Sequence, residues 1–386
     1  MTNAQGRLGP LADVRVLDMS RLHPGAFCTL VLADLGADVI KIEPPGGDPM
    51  RYAGASSPGN VALNRGKRSL ALDLKNPASA EIVRRLVADA DVLVESQRPG
   101  AMARLGLSYE SLAEINPGLV WCSITGFGDG SPYQEQAAHD VTLLGYSGLL
   151  SSIAGDSVYG SPQLVIAVPI GGLMAATGIM AALRERDRTG RGSRVDASLL
   201  DSATWILGEQ IAAAGQGLPT KYGDQAARRS YRCSDGELIT LAAVEPRTWQ
   251  ALVTGLGLPE LADKMPRTPE ENQIVFRRFE AIFAERTAAE WLAQLGGAGS
   301  AIGAVNTAEQ LLDDPHMRQR ESIVEVGGHR VLASPLRIAG LSGPVTQTAT
   351  HPAPELGGDS EAVLSAAGYS DAEIAQFRSD GVLPAT

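Results

Sequence analysis

Cysteine, histidine and aromatic residues are scarce in this sequence: three, five and 5% of 386 residues. Cys28, Cys122 and Cys233 stand far apart, and no CxxC occurs. That excludes a disulfide framework and a cysteine zinc cluster, and it fits a reducing cytoplasm. Basic charge is also short, with 33 Lys and Arg against 44 Asp and Glu for a net charge of −11. Such a chain has no cationic excess with which to displace counterions from nucleic acid or to hold an anionic membrane. A local basic pocket for a small anion stays compatible with this balance. No GxGxxG follows the first strand-like run and no GxxxxGK[ST] occurs anywhere, which argues against nicotinamide-dinucleotide and P-loop chemistry. Long apolar runs are missing too. The longest, residues 165–183, is broken by Pro169 and Gly171-Gly172, and it reads as a core helix rather than a membrane span. The N-terminus has no apolar stretch of the signal-peptide kind.

What is present is a globular composition, 44% hydrophobic and 20% charged. The length makes two domains the default. In the first half, short β-rich runs alternate with helical patterns. Strands are expected at 14–20, 39–43, 69–74, 91–96 and 119–128, and helices at 25–37, 78–90 and 108–116. This alternation predicts an α/β fold with a mostly parallel sheet covered on both faces, whose ligands sit beyond the carboxyl ends of the strands. Long helices are expected near 137–151, 171–187 and 197–214. The text then changes to a hairpin, "YRCSDGELITLAAV", with Ser-Asp-Gly as its turn, followed by three helices of a smaller α+β domain. Strand-like text returns in "SIVEVGGHRVLASPLRIAG", and a helix begins near Asp359.

Several segments, in order, carry a resemblance: "GPLADVRVLDMS…GAFCTLVLADLGADVIKIEPPGGDPMR", "NRGKRSLALDLKNP", "ADVLVESQRPGAMARLGLSYESLAEINPGLVWCSITGFG", "DPHMRQRE" and "APELGGDSEAVLSAAGYSDAEIAQF". On these the chain resembles the family III CoA-transferases (CaiB/BaiF), which include formyl-CoA transferase, carnitine CoA-transferase and α-methylacyl-CoA racemase. The resemblance implies a Rossmann-like large domain formed by both chain ends, residues 1–200 and 320–386. It also implies a linker helix region at 201–224 and a small domain at 225–319. Two copies would interlock as a homodimer and bind an acyl-CoA thioester, with no metal, no nicotinamide, no nucleic acid and no membrane partner.

CoA carries a 3′-phosphate and a diphosphate, which arginine grips as a fork and lysine as a point charge. The resemblance assigns CoA contact to Arg21, Leu22 and His23 in "RLHPG", to Leu72 and Lys75 after "SLALDL", and to Ser96, Gln97, Arg98 and Arg104 in "SQRPGAMARLG". A family arginine after "KIE" is Pro44 here, and Arg51 is the nearest replacement.

The stretch "QEQAAHDVTLLGYSGLL" places His139 and Asp140 at the front of an apolar run. Taken alone, it reads either as a capping aspartate beside a buried, hydrogen-bonded histidine or as a catalytic base at a helix start. "AAHD" resembles the racemase "GHD" motif, which implies that His139 is a base for α-proton chemistry. "AVEP" implies that Glu245 orients it, and Asp140 is a capping or supporting carboxylate. Where the family has its catalytic aspartate, this chain has Pro169, which offers neither proton nor nucleophile. Three readings remain: a racemase-type enzyme with a substitute acid such as water, Asp140 or Asp156; one-base isomerisation or elimination by His139; and a CoA-binding protein of little activity. A transferase using another carboxylate is the further alternative.

Overall fold

Residues 9–154, 162–220, 223–338 and 351–384 are described in the computed structural model of the chain. Strand β1 (Arg15–Met19) is buried from Val16 onward, as expected of a strand covered on both faces. It lies in a six-stranded parallel sheet with β2 (Asp38–Glu43), β3 (Arg68–Ala71), β4 (Val92–Glu95), β5 (Val120–Thr125) and β6 (Arg194–Ser198). The order is β3-β2-β1-β4-β5-β6. Leu17 pairs with Ile40 on one side and Leu93 on the other.

Because side chains alternate along a strand, Val16 and Leu17 enter different cores. Val16 joins Cys28 and Leu32 of α1 (Leu22–Asp34). Leu17 joins Ile82 of α3 (Pro77–Val87) and Leu112 of α5 (Tyr109–Ile115). Two short helices, α2 (Pro58–Asn64) and α4 (Ala101–Arg104), complete the N-terminal connections.

The central helices are α6 (Asp140–Ser147), α7 (Leu149–Ala154), α8 (Ala167–Thr189) and α9 (Leu199–Trp205). The single helix expected over 137–151 is two, because Gly148 takes φ +84° and ends α6. α8 packs closely on α1: a Cβ at Gly172 would lie 2.8 Å from the Pro24 carbonyl oxygen. By length and composition α8 could cross a membrane, contrary to the expectation that no run is long enough, yet half of its most apolar window is buried inside the protein. β6 was not expected at all. It is a sheet edge in which only Ala197 and Ser198 are fully buried, so its text "RVDAS" has too little apolar content to stand out.

The chain divides into two compact units, Met1–Gly208 with Gln319–Thr386, and Glu209–Arg318. The second unit holds most of α10 (Gly208–Gly215) and the antiparallel strands β7 (Arg228–Arg232), β8 (Leu238–Ala242) and β9 (Ile302–Ala304). Its helices α11 (Pro246–Gly255), α12 (Pro269–Phe283) and α13 (Ala288–Leu295) close an aromatic core around Tyr231, Trp249, Phe279 and Trp291. After α14 (Ala308–Leu311) and α15 (Pro315–Gln319) comes the hairpin β10 (Ile323–Val326) and β11 (His329–Leu332). Finally α16 (Ser360–Ala366) and α17 (Asp371–Ser379) put Val363 and Ile374 into the same core as Leu17. Both chain ends therefore build one unit.

Candidate active site

The strand order reverses between β1 and β4, and the loops leaving them cannot cover the crevice between. A cavity of about 840 Å³ lies there, lined by Arg21–Pro24 after β1, Ser96–Arg98 after β4, and Ala138–Val141 at the start of α6. The first two loops are stitched together. Arg21 N–H donates to Ser96 Oγ at 2.9 Å, and Gln97 Nε2 donates to the Met19 carbonyl at 3.3 Å. Beneath them is a floor of buried charge. Burial alone would raise the Asp18 carboxyl, but Lys41 and Lys67 with the hydroxyls of Ser20 and Thr29 hold it well below the carboxylate range. Burial brings Lys67 down to about 8 against the pull of Asp18.

Of the predicted CoA contacts, Arg21, Leu22, His23, Ser96, Gln97, Arg98 and Arg104 all line this cavity. The three arginines are exposed, and none makes a salt bridge among the described residues. Leu72 and Lys75 are not part of the lining. The Leu72 side chain is wholly buried in the core beneath β3, while Lys75 is exposed in the loop before α3. Arg51 does not replace the arginine missing at Pro44. Its guanidinium forks Glu43 at 2.7 and 2.8 Å and donates to the Pro354 carbonyl at 3.0 Å, so it has no face left for a phosphate.

His139 is exposed and occupies the N-cap of α6 in extended geometry, without a side-chain cap bond. A buried core histidine is therefore ruled out. Asp140 faces differently. Its carboxylate accepts Ile166 N–H at 3.0 Å and Val168 N–H at 2.9 Å, satisfying donors that the first turn of α8 leaves open. Pro169, half-buried, is the third residue of that helix. Glu245 is exposed at the N-cap of α11 in the other unit, where its N–H meets Thr248 Oγ1 at 3.3 Å. Asp156 lies outside the described residues.

Sequence reading missed the support of this site. Glu95 ends β4, and its carboxylate accepts Gln97 N–H at 2.7 Å. Asp48 accepts Leu22 N–H at 3.0 Å. The signal for Asp48 was its place before Pro49, as the cap of a single helical turn. Val168 and Leu199 add an apolar wall that nothing in the local text marks.

The sequence profile described as CoA-transferase family III matches residues 11–360. α-Methylacyl-CoA racemase of Homo sapiens is 34% identical over 386 residues, covering 97% of both chains. Succinyl-CoA:glutarate CoA-transferase of Mus musculus is 32% identical, covering 82% of this chain and 77% of the relative. Among solved structures, a CaiB/BaiF family protein from Brucella suis superposes with a TM-score of 0.82 at 31% identity, over 94% of this chain and all of that one.

Proposed function

The chain belongs to CoA-transferase family III, and from that premise we propose that it enolises an acyl-CoA thioester of the 2-methylacyl type. His139 takes the proton from the carbon beside the thioester carbonyl. One observation carries the reading: a single cavity joins three arginines free of carboxylates to an exposed histidine that opens a helix. Arginine forks complement the phosphates of CoA. A neutral imidazole can accept the proton this step removes and can give it back.

In the proposed step the C–H bond breaks, the proton moves to the imidazole, and the electron pair moves onto the thioester oxygen. The first-turn N–H groups of α6 have no side-chain cap from His139 and are the candidate donors to that oxygen. Return of the proton to the same face gives exchange; delivery from the opposite face gives racemisation. Asp140 does not supply the second proton in this reading, because α8 occupies its carboxylate. Water remains as the acid. Glu245 is assigned as the carboxylate that orients His139, across an interlocked homodimer. Covalent acyl transfer of the transferase kind is disfavoured because Pro169 has no nucleophile to form the acyl-enzyme.

The test is exchange of the C2 hydrogen of 2-methylacyl-CoA esters in D₂O. His139→Ala should slow it by roughly 10²–10⁴-fold, the usual range for a general base. Exchange by the wild type no faster than by that variant overturns the assignment.

A further inference from the structure

Among the described residues only Leu22, Ala301 and Glu321 take positive φ without being glycine, and Leu22, at φ 61°, is the one on the cavity wall. In this region a side chain's Cβ crowds the following carbonyl, so leucine stays there only when its surroundings force it to. The force is visible. Leu22 N–H donates to Asp48 Oδ2 at 3.0 Å, and the same carboxylate takes Met50 N–H at 2.9 Å. Asp48 is buried and paired with Lys41 Nζ at 3.3 Å. Lys41 is itself wholly buried and donates to the Ser20 carbonyl at 3.2 Å. On the other side of the residue, Arg21 is held by Ser96. A buried ion pair thus sits directly under the one strained residue of the ligand cavity.

We propose that Asp48 is a positioning residue for ligand binding: neutralised by Lys41, its carboxylate holds Leu22 in the left-handed conformation and so fixes how Arg21 and His23 enter the cavity. Without that contact, Leu22 returns to an ordinary conformation and the two cavity residues beside it change direction relative to each other. The ligand part of this inference rests on the acyl-CoA reading.

The experiment is a cycle of Asp48→Ala, Leu22→Gly and the double variant, titrated calorimetrically with CoA. Glycine enters the left-handed region unaided. Asp48→Ala should weaken CoA binding about 5–30-fold, the strain of one left-handed leucine, and most of that loss should vanish in the Leu22→Gly background. Unchanged binding by Asp48→Ala overturns the proposal, as does an equal loss in both backgrounds. Asp48→Leu, which keeps the volume of the side chain but accepts no hydrogen bond, takes its place if the alanine variant does not fold. Amide exchange across residues 21–25 supplies an arm that needs no ligand. The Asp48 substitution should speed exchange there in the wild-type background and much less with Leu22→Gly; equal acceleration in both overturns the proposal. If the exchange pattern holds while the wild type fails to bind CoA, the acyl-CoA reading falls alone.

Discussion

The Asp140 carboxylate accepts the Val168 N–H at 2.9 Å, so the helix that opens behind His139 is tied to the start of the longest helix in the chain. The tie separates two neighbours in sequence. His139 is left at the cavity, and Asp140 is used up in holding it there.

The roles of these two residues can be told apart by stability. Asp140→Ala should lower folding stability by about 1–3 kcal/mol, the sum of a lost cap and a lost charge at a helix start. Asp140→Asn should lose less and keep much of the C2 exchange. If instead Asp140→Asn abolished exchange with no change in urea unfolding, Asp140 would be a catalytic acid.

Arg98→Ala and Arg104→Ala should each weaken CoA binding by about 10–100-fold, the range for a hydrogen bond to a charged group. Lysine at either position should recover only part of the loss, since it keeps the charge without the fork. Titration with CoA and with dephospho-CoA identifies which arginine meets the 3′-phosphate. Equal binding of CoA by wild type and both alanine variants would remove the cavity from the proposal.

Glu245 belongs to a different unit from His139. If two chains interlock to form each site, mixing His139→Ala and Glu245→Gln chains during refolding should restore C2 exchange that neither variant has alone. About a quarter of the wild-type level is expected for random pairing. Failure to recover any activity from folded mixed dimers rules out a shared site.

Pro169 stands in the first turn of α8, where a carboxylate is favoured by the helix dipole and no backbone hydrogen bond depends on the residue. Pro169→Asp should fold and should raise racemisation relative to exchange, by up to roughly 10²-fold if it supplies the second acid–base group. A folded variant with an unchanged ratio would show that this position does not face the α-carbon.

Burial pushes the Glu95 carboxyl up from 4.5, opposed by Ser123, the Gln97 N–H and Arg194 and assisted by Asp196. The folded state therefore keeps a proton that the unfolded chain has already released. The stability this contributes is lost as pH rises from 4.5 through the folded value. The difference in unfolding free energy between wild type and Glu95→Gln should fall as pH rises above 4.5, measured by urea unfolding at each pH. A flat or rising difference contradicts it. Glu43, whose carboxyl is held low by Arg51 and Lys41 despite burial, is common to both proteins and cancels.

The sequence by itself determined the elements whose pattern is local. The buried strands β1, β2, β4 and β5, the Ser-Asp-Gly hairpin and the placing of His139 at a helix start all follow from apolar periodicity and turn residues within a few positions. Tertiary structure alone decided the rest. Asp140 meets backbone 26 and 28 residues away, and Arg51 spends its charge on Glu43 and on a carbonyl 303 residues distant. β6 exists because β5 offers it an edge, and Leu22 is strained because Asp48 is brought beneath it. A hydrogen bond or ion pair between elements depends on which strands are neighbours, and that order leaves no periodic trace along the chain.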